Sequence, residues 1–239
     1  MEKHWIAGAL RPSTGAIGLP ITNPATEAVV AEIPVGTAED VAAAVAAAEA
    51  AGPEWRALGP SGRRPLLLRA AARIREQAGE LADVLTEENG KPVAQAHAEV
   101  LGAASWLEQF AELAVHYRSG SQGAPADELV FQRWEPRGIA ACIVPWNFPL
   151  QVAMETLAPN LAVGNTVVAK PSEKTPLSLL RMAAQAFDHL PPGVLNVVLG
   201  DGAHTGEALV QSCQVDVVMF VGSVRTGHHI GKICGERTR

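Results

Sequence analysis

The second half of the chain holds three short valine-rich runs, "TVVAK" (Thr166 to Lys170), "GVLNVVLG" (193–200) and "VDVVMFVG" (215–222). Each is followed by a stretch of helical composition: "TPLSLLRMAAQAFDHL", "AHTGEALVQS" and "TGHHIGKICGER". A strand that is apolar at consecutive positions has no water-facing side, so both of its faces must be covered. Such runs, alternating with helices, predict an α/β fold: a doubly wound, Rossmann-like parallel sheet. Apolar residues make up 48% of the 239, enough for a sizeable core.

The first half reads differently. Residues 1 to 36 hold short β-branched pieces, "AIGLPIT" and "EAVVAEIPVG", broken by Gly and Pro, and predict short strands and turns. Thr37 with Asp40 three residues on is a capping box, opening an Ala-rich helix. A second helical region is expected from near Gly62 to a stop at Gly90, and a third helix over roughly Val93 to Tyr117. "RSGSQGAPAD" (Arg118 to Asp127) has linker composition. Beyond it "ELVFQRW" and "GIAACIV" predict two strands joined by a turn at Glu135 to Gly138. The expected division is a helical part over 1–126, a β-hairpin over 127–145 and a βαβ part over 146–239.

The formal charge of −6, with no basic block, argues against nucleic acid and against an anionic membrane surface. No apolar run approaches a membrane span, and "MEKHWIAGAL" lacks the pattern of a secretory signal. Cys142, Cys213 and Cys234 are odd in number and far apart, which fits a reducing cytoplasm better than a disulfide framework. His228 and His229 are adjacent, so they point to different helix faces, and no metal site is expected.

In open α/β sheets, ligands bind beyond the carboxyl ends of the strands. Three strand ends carry residues suited to a nucleotide. In "AKPSEKTP", Lys170 and Glu173 are either a ribose-binding pair or two solvated charges on a turn. "GDGAHTG" (200–206) has one residue more than a Rossmann fingerprint. In "FVGSVRTG", Ser223 is placed to cap a helix, and a capped helix N-terminus can also take an anion. A fourth stretch, "CIVPWNFPLQ", sets Asn147 between Trp146 and Phe148 with Pro145 and Pro149 outside them. The prolines restrict their own φ and the residues before them, which reads as a side chain being aimed. No cysteine has a base placed beside it; Cys142 reads as a small hydrophobe in a strand.

"PWNFPL", "VVAKPSEKTPLS", "GVLNVVLGDGAHTGEAL" and "MFVGSVRTG", in this order, resemble the NAD(P)-dependent aldehyde dehydrogenase superfamily. "NPATEAVVAEIPVGTAEDVAAAVAAA" and "LTEENGKPVAQAHAEV" extend the resemblance over essentially the whole chain. It implies an N-terminal, cofactor-binding portion of an incomplete aldehyde dehydrogenase fold. It implies that Asn147 donates to the oxygen of an aldehyde as negative charge develops there. Ile143, Val144 and Trp146 would line the cofactor path, Lys170 and Glu173 would hold the adenosine ribose, and Ser172 would also belong to the cofactor site. Gly202, Gly222, Ser223 and Thr226 would surround the adenine end and pyrophosphate. The cofactor would be NAD, with NADP possible; Glu173 favours NAD, and Lys170 and Lys174 weaken the preference. The segment 128–144 resembles part of an oligomerisation element, which implies a homo-oligomer.

The family's general-base Glu and nucleophilic Cys match nothing in these 239 residues, and Cys234 does not fit the nucleophile's motif. The expectation is therefore a chain without turnover of its own, with a sheet edge left open. Two other readings remain: a catalytically dead nucleotide-binding module, and one half of a split enzyme.

Overall fold

A computed structural model describes residues 1–117, 120–122, 128 and 130–237. The chain opens with four strands, β1 (His4–Ile6), β2 (Ala9–Arg11), β3 (Gly18–Thr22) and β4 (Val29–Pro34). Four helices follow: α1 (Ala38–Ala57), α2 (Gly59–Glu76), α3 (Ala78–Asn89) and α4 (Val93–His116). Strands β5 (Ser121–Gln122) and β6 (Val130–Phe131) pair with each other, forming a separate two-stranded sheet among the described residues. Then come β7 (Ile139–Ile143), α5 (Pro149–Val163), β8 (Thr166–Lys170), α6 (Leu177–Ala186) and β9 (Leu195–Val197). A π-helical turn (Gly202–Gly206) leads into α7 (Glu207–Gln211), β10 (Val217–Phe220) and α8 (Val224–Glu236). Among the described residues no helix is long and apolar enough to cross a membrane.

The main sheet has the strand order β10-β7-β8-β9-β1-β2. Strands β10, β7, β8 and β9 are parallel, and β1 adds antiparallel to β9 through Trp5 opposite Val197. The valine runs are covered on both sides, as their composition requires. Ala141, Val168 and Val198 pack with Val41, Val45 and Ala48 of α1 and Leu209 of α7. Ala140, Cys142, Val167 and Ala169 face the other way, toward Leu150, Met154 and Leu157 of α5 and Leu180 of α6. Outside those lie α2, α3 and α4.

The Thr37–Asp40 capping box is present: Thr37 Oγ1 accepts from Asp40 N at 3.2 Å, and Asp40 from Thr37 N at 2.9 Å. Gly90 ends α3 in the left-handed region at φ 84°, the conformation glycine adopts without penalty. Two expectations need correction. The helical region expected from Gly62 begins at Gly59 and breaks at Gln77, giving two helices. The expected hairpin over 128–144 is not a pairing: residues 130–131 pair with 121–122, and β7 lies in the sheet between β8 and β10. The "GIAACIV" run is apolar on both faces because it is a central parallel strand. The linker expected over 118–127 lies, apart from 120–122, outside the described residues.

One buried pair ties the N-terminal strand to this sheet. His4 Nδ1 accepts from Leu199 N at 3.0 Å, and its Nε2 lies 3.2 Å from Asp40 Oδ2. Burial pushes the imidazole below its ordinary value of 6.5, against the pull of Asp40. Burial acts on Asp40 in the upward direction, but bonds from Ser13, Thr37 and Thr14 and the nearby His4 outweigh it and hold its carboxyl below the usual range. Protonating His4 costs the Leu199 bond, because a charged imidazole has no acceptor nitrogen. The unfolded chain therefore binds this proton first. The contribution is complete above pH 6.5 and is lost as pH falls below it, by at most ~1.4 kcal/mol per pH unit. We expect His4→Gln to flatten this slope. Melting temperatures of both proteins between pH 7.5 and 5.5 test it, and equal slopes would refute it.

Candidate functional site

The chain steps from β7 to β8 to β9 in one direction, then returns to place β10 on the other side of β7. A crevice at that reversal, beyond the carboxyl ends of β7 and β10, is the usual ligand position of such sheets. A cavity of about 650 Å³ lies there. Its lining includes all eleven candidate residues: Ile143, Val144, Trp146, Asn147, Lys170, Ser172, Glu173, Gly202, Gly222, Ser223 and Thr226. Pro145, Phe220 and Val221 complete the wall; the sequence marked Pro145 only as flanking Asn147, and Phe220 and Val221 only through their neighbours.

One wall is charged. Lys170 is 2% exposed, donates from Nζ to Pro171 O at 2.8 Å and lies 3.9 Å from Glu173 Oε2. Burial draws its ammonium down to about 8, with Glu173 and Asp201 pulling the other way. The pair is therefore not two free charges on a solvated turn. The opposite wall is the start of α8. Ser223 caps it, accepting from Thr226 N at 3.2 Å. A helix N-terminus adds partial positive charge to that side. At Gly222 a Cβ would come within 2.5 Å of the Phe220 ring, so a larger residue would displace the wall. An ammonium beside a carboxylate, facing a helix N-terminus across an open crevice, is a donor set that fits a ribose and a diphosphate.

Asn147 stands at the mouth, exposed, between the half-exposed rings of Trp146 and Phe148. Its side chain carries no hydrogen bond among the described residues. Its carbonyl accepts from Lys91 Nζ at 2.9 Å, and the Trp146 carbonyl from Asn89 Nδ2 at 2.7 Å. Lys91 forms an ion pair with the buried Glu99, whose Oε1 accepts from Leu150 N at 2.9 Å and Gln151 N at 3.3 Å at the start of α5. Glu88 makes the same kind of cap on α6, accepting from Leu177 N at 2.6 Å and Ser178 N at 3.0 Å, and burial raises its carboxyl to about 7. None of these four was singled out from the sequence, where they lie within "LTEENGKPVAQAHAEV" without a role of their own.

No thiol faces the cavity. Cys142 is fully buried on the α5 side of β7, and burial pushes it up to about 12. Cys213 and Cys234 are free and do not line the crevice.

A doubly wound sheet with a crevice at its switch point, carrying a Lys–Glu pair and a helix N-terminus, is the architecture of nucleotide-binding α/β proteins. The comparisons narrow that class. The model of the aldehyde dehydrogenase family matches residues 11–239. A phenylacetaldehyde dehydrogenase of Pseudomonas fluorescens is 42% identical over 227 residues, 91% of this chain and 45% of that protein. An aminoaldehyde dehydrogenase of Zea mays is 40% identical over 238 residues, 95% of this chain and 47% of that protein. The solved structure of a P. syringae indole-3-acetaldehyde dehydrogenase in complex with NAD+ superposes with a TM-score of 0.96 at 33% identity, covering 100% of this chain and 49% of that one. The chain belongs to the aldehyde dehydrogenase family. It spans about half the length of the relatives it matches.

Proposed function

We propose that these residues form the cofactor cradle and oxyanion-binding group of an NAD(P)+-dependent aldehyde dehydrogenase, which oxidises an aldehyde to a carboxylic acid. The observation that carries the reading is the convergence of all eleven candidate residues on one crevice at the switch point. The solved relative bound to NAD+ supports the choice of cofactor. When bound, the nicotinamide supplies the hydride acceptor. Lys170 and Glu173 hold the ribose hydroxyls, with Ser172 on the same turn. Ser223, Thr226 and the start of α8 face the pyrophosphate. Ile143, Val144, Trp146, Gly202 and Gly222 shape the path. Asn147 donates its amide to the aldehyde oxygen as a thiolate adds to the carbonyl carbon. In this reading the thiolate and the general-base carboxylate come from residues other than these 239. The exposed Phe131, with the rings of Trp134 and Tyr117 tilted against each other at 5.8 Å, is the surface we assign to homo-oligomer contact. The three free thiols suit the cytoplasm. The aldehyde stays unassigned, because the named relatives act on chemically different ones.

The purified 239-residue polypeptide is expected to bind NAD+ and to form no NADH with any aldehyde. Titration calorimetry and absorbance at the reduced cofactor's band check both. Aldehyde-dependent NADH formation by this polypeptide would remove the need for an outside thiol, and absence of NAD+ binding would remove the cradle. Within the cradle, Glu173→Gln lowers the preference for NAD+ over NADP+ by about tenfold, the size of one screened charge repulsion against a 2′-phosphate. Dissociation constants for both cofactors measure it. An unchanged ratio would take Glu173 away from the ribose.

A further inference from the structure

The two carbonyls that flank the Asn147 Cα are both pinned from outside their own loop. The carbonyl of Trp146 accepts from Asn89 at 2.7 Å and more weakly from Thr175 Oγ1 at 3.5 Å, and that of Asn147 accepts from Lys91. A carbonyl's direction defines its peptide plane. Fixing the planes on both sides of one Cα fixes φ and ψ there, and with them the direction of its Cβ. Pro145 and Pro149 restrict φ only at their own positions and bias the residues before them, so they leave the conformation of residue 147 open. The aim of this side chain therefore comes from the α3–α4 connection, more than 50 residues away in sequence.

The clamp is itself braced. Lys91 is held by Glu99, with side-chain exposures of 9% and 1%, and its Nζ lies 4.4 Å from the centroid of the Phe148 ring. Glu99 also accepts the N–H groups of Leu150 and Gln151, in the first turn of the helix that begins at Pro149. One carboxylate thus holds both the lysine and the helix that leaves the loop.

We propose that Asn89 and Lys91, braced by Glu99, are positioning residues that set the direction of the Asn147 amide. The inference rests on reading Asn147 as the oxyanion donor. A purely structural ion pair would stabilise the loop without controlling this one side chain.

The test uses the active enzyme containing these residues. Lys91→Met alone would strand the Glu99 charge in the interior. The double substitution Lys91→Met with Glu99→Gln avoids that and keeps an acceptor for Leu150 and Gln151. Crystal structures of this variant, of Lys91→Arg and of Asn89→Ala are compared with the parent. We expect the Asn147 amide to move by about 1 Å or to split between conformers in the double variant, with kcat down about tenfold and KM for NAD+ unchanged. Lys91→Arg, which keeps a donor to the carbonyl, restores both. Asn89→Ala gives a smaller change in the same direction and carries the test if the double variant does not fold. An unmoved Asn147 amide overturns the proposal, as does a movement shared by the whole of β7 and β8. The two readings fail separately. An Asn147→Ala variant with full kcat refutes the oxyanion role, while the amide's displacement reports on the clamp alone.

Discussion

Asn147→Ala in the complete enzyme lowers kcat by a factor of about 10² to 10³, or ~2.7–4 kcal/mol of transition-state stabilisation, while NAD+ affinity stays within twofold. The size follows from where the amide acts. A donor that meets an oxygen only as charge develops there strengthens in the transition state and adds little to ground-state binding. The Asn147 side chain is exposed and makes no hydrogen bond among the described residues, so its loss costs the fold little, within ~0.5 kcal/mol. Stability and rate are thereby separated in one variant. Asn147→Asp keeps the shape but replaces the donor with a negative charge beside a developing negative charge, and its loss is the larger of the two. Single-turnover rates with a saturating aldehyde measure both. Wild-type rates in either variant would mean that the oxygen is stabilised by other groups.

What the sequence disclosed depended on how local the determinant was. Strand ends are local, and the residues after β7, β8 and β10 fall in one crevice because parallel strands with short connections bring their carboxyl ends together. The Thr37–Asp40 cap and the Gly90 stop are local as well, and each is in place. Pairing between distant strands is not local. "GIAACIV" follows a turn-like "EPRG", and nothing in the run distinguishes a hairpin arm from a central parallel strand except its lack of any polar face. β1 joins the sheet through one pairing with a strand more than 190 residues away. Arg63, Lys91 and Glu99 gave no signal of their own in the sequence, because many of their partners are backbone groups, which have no sequence signature. The aim of Asn147 was read from two prolines nearby, whereas remote side chains, Asn89 and Lys91 foremost, hold its peptide planes.

Arg63 carries the largest expected effect on stability. It is 3% exposed, and no carboxylate pairs with it among the described residues. Its Nε donates to Ala162 O at 3.1 Å, and its Nη1 to Trp55 O at 3.1 Å and Arg56 O at 3.4 Å. These carbonyls end α5 and α1, where the helix dipoles are negative, and a guanidinium there has a compensating field. It also lies 5.9 Å from the centroid of the Trp55 ring. Burial lowers its pKa, yet a guanidinium remains charged at neutral pH. Replacing a buried ion pair by apolar groups can be neutral, because both desolvation costs vanish together. That argument fails here. Arg63→Met removes one charge but leaves the carbonyls in place, two of them in fully buried bonds, and each orphaned acceptor costs ~1–3 kcal/mol. The desolvation recovered from the guanidinium offsets part of this, and we expect a net loss of ~3 kcal/mol in urea unfolding. Arg63→Lys keeps the charge but replaces a fork by a single ammonium, which cannot span both helix ends, and should lose ~1–2 kcal/mol. Because Arg63 acts at the far end of α5 from Asn147, the folded fraction of either variant should bind NAD+ as the parent does. A loss below ~1 kcal/mol in Arg63→Met would show that water or a relaxed helix end replaces the guanidinium, and that these two helices do not need it to meet.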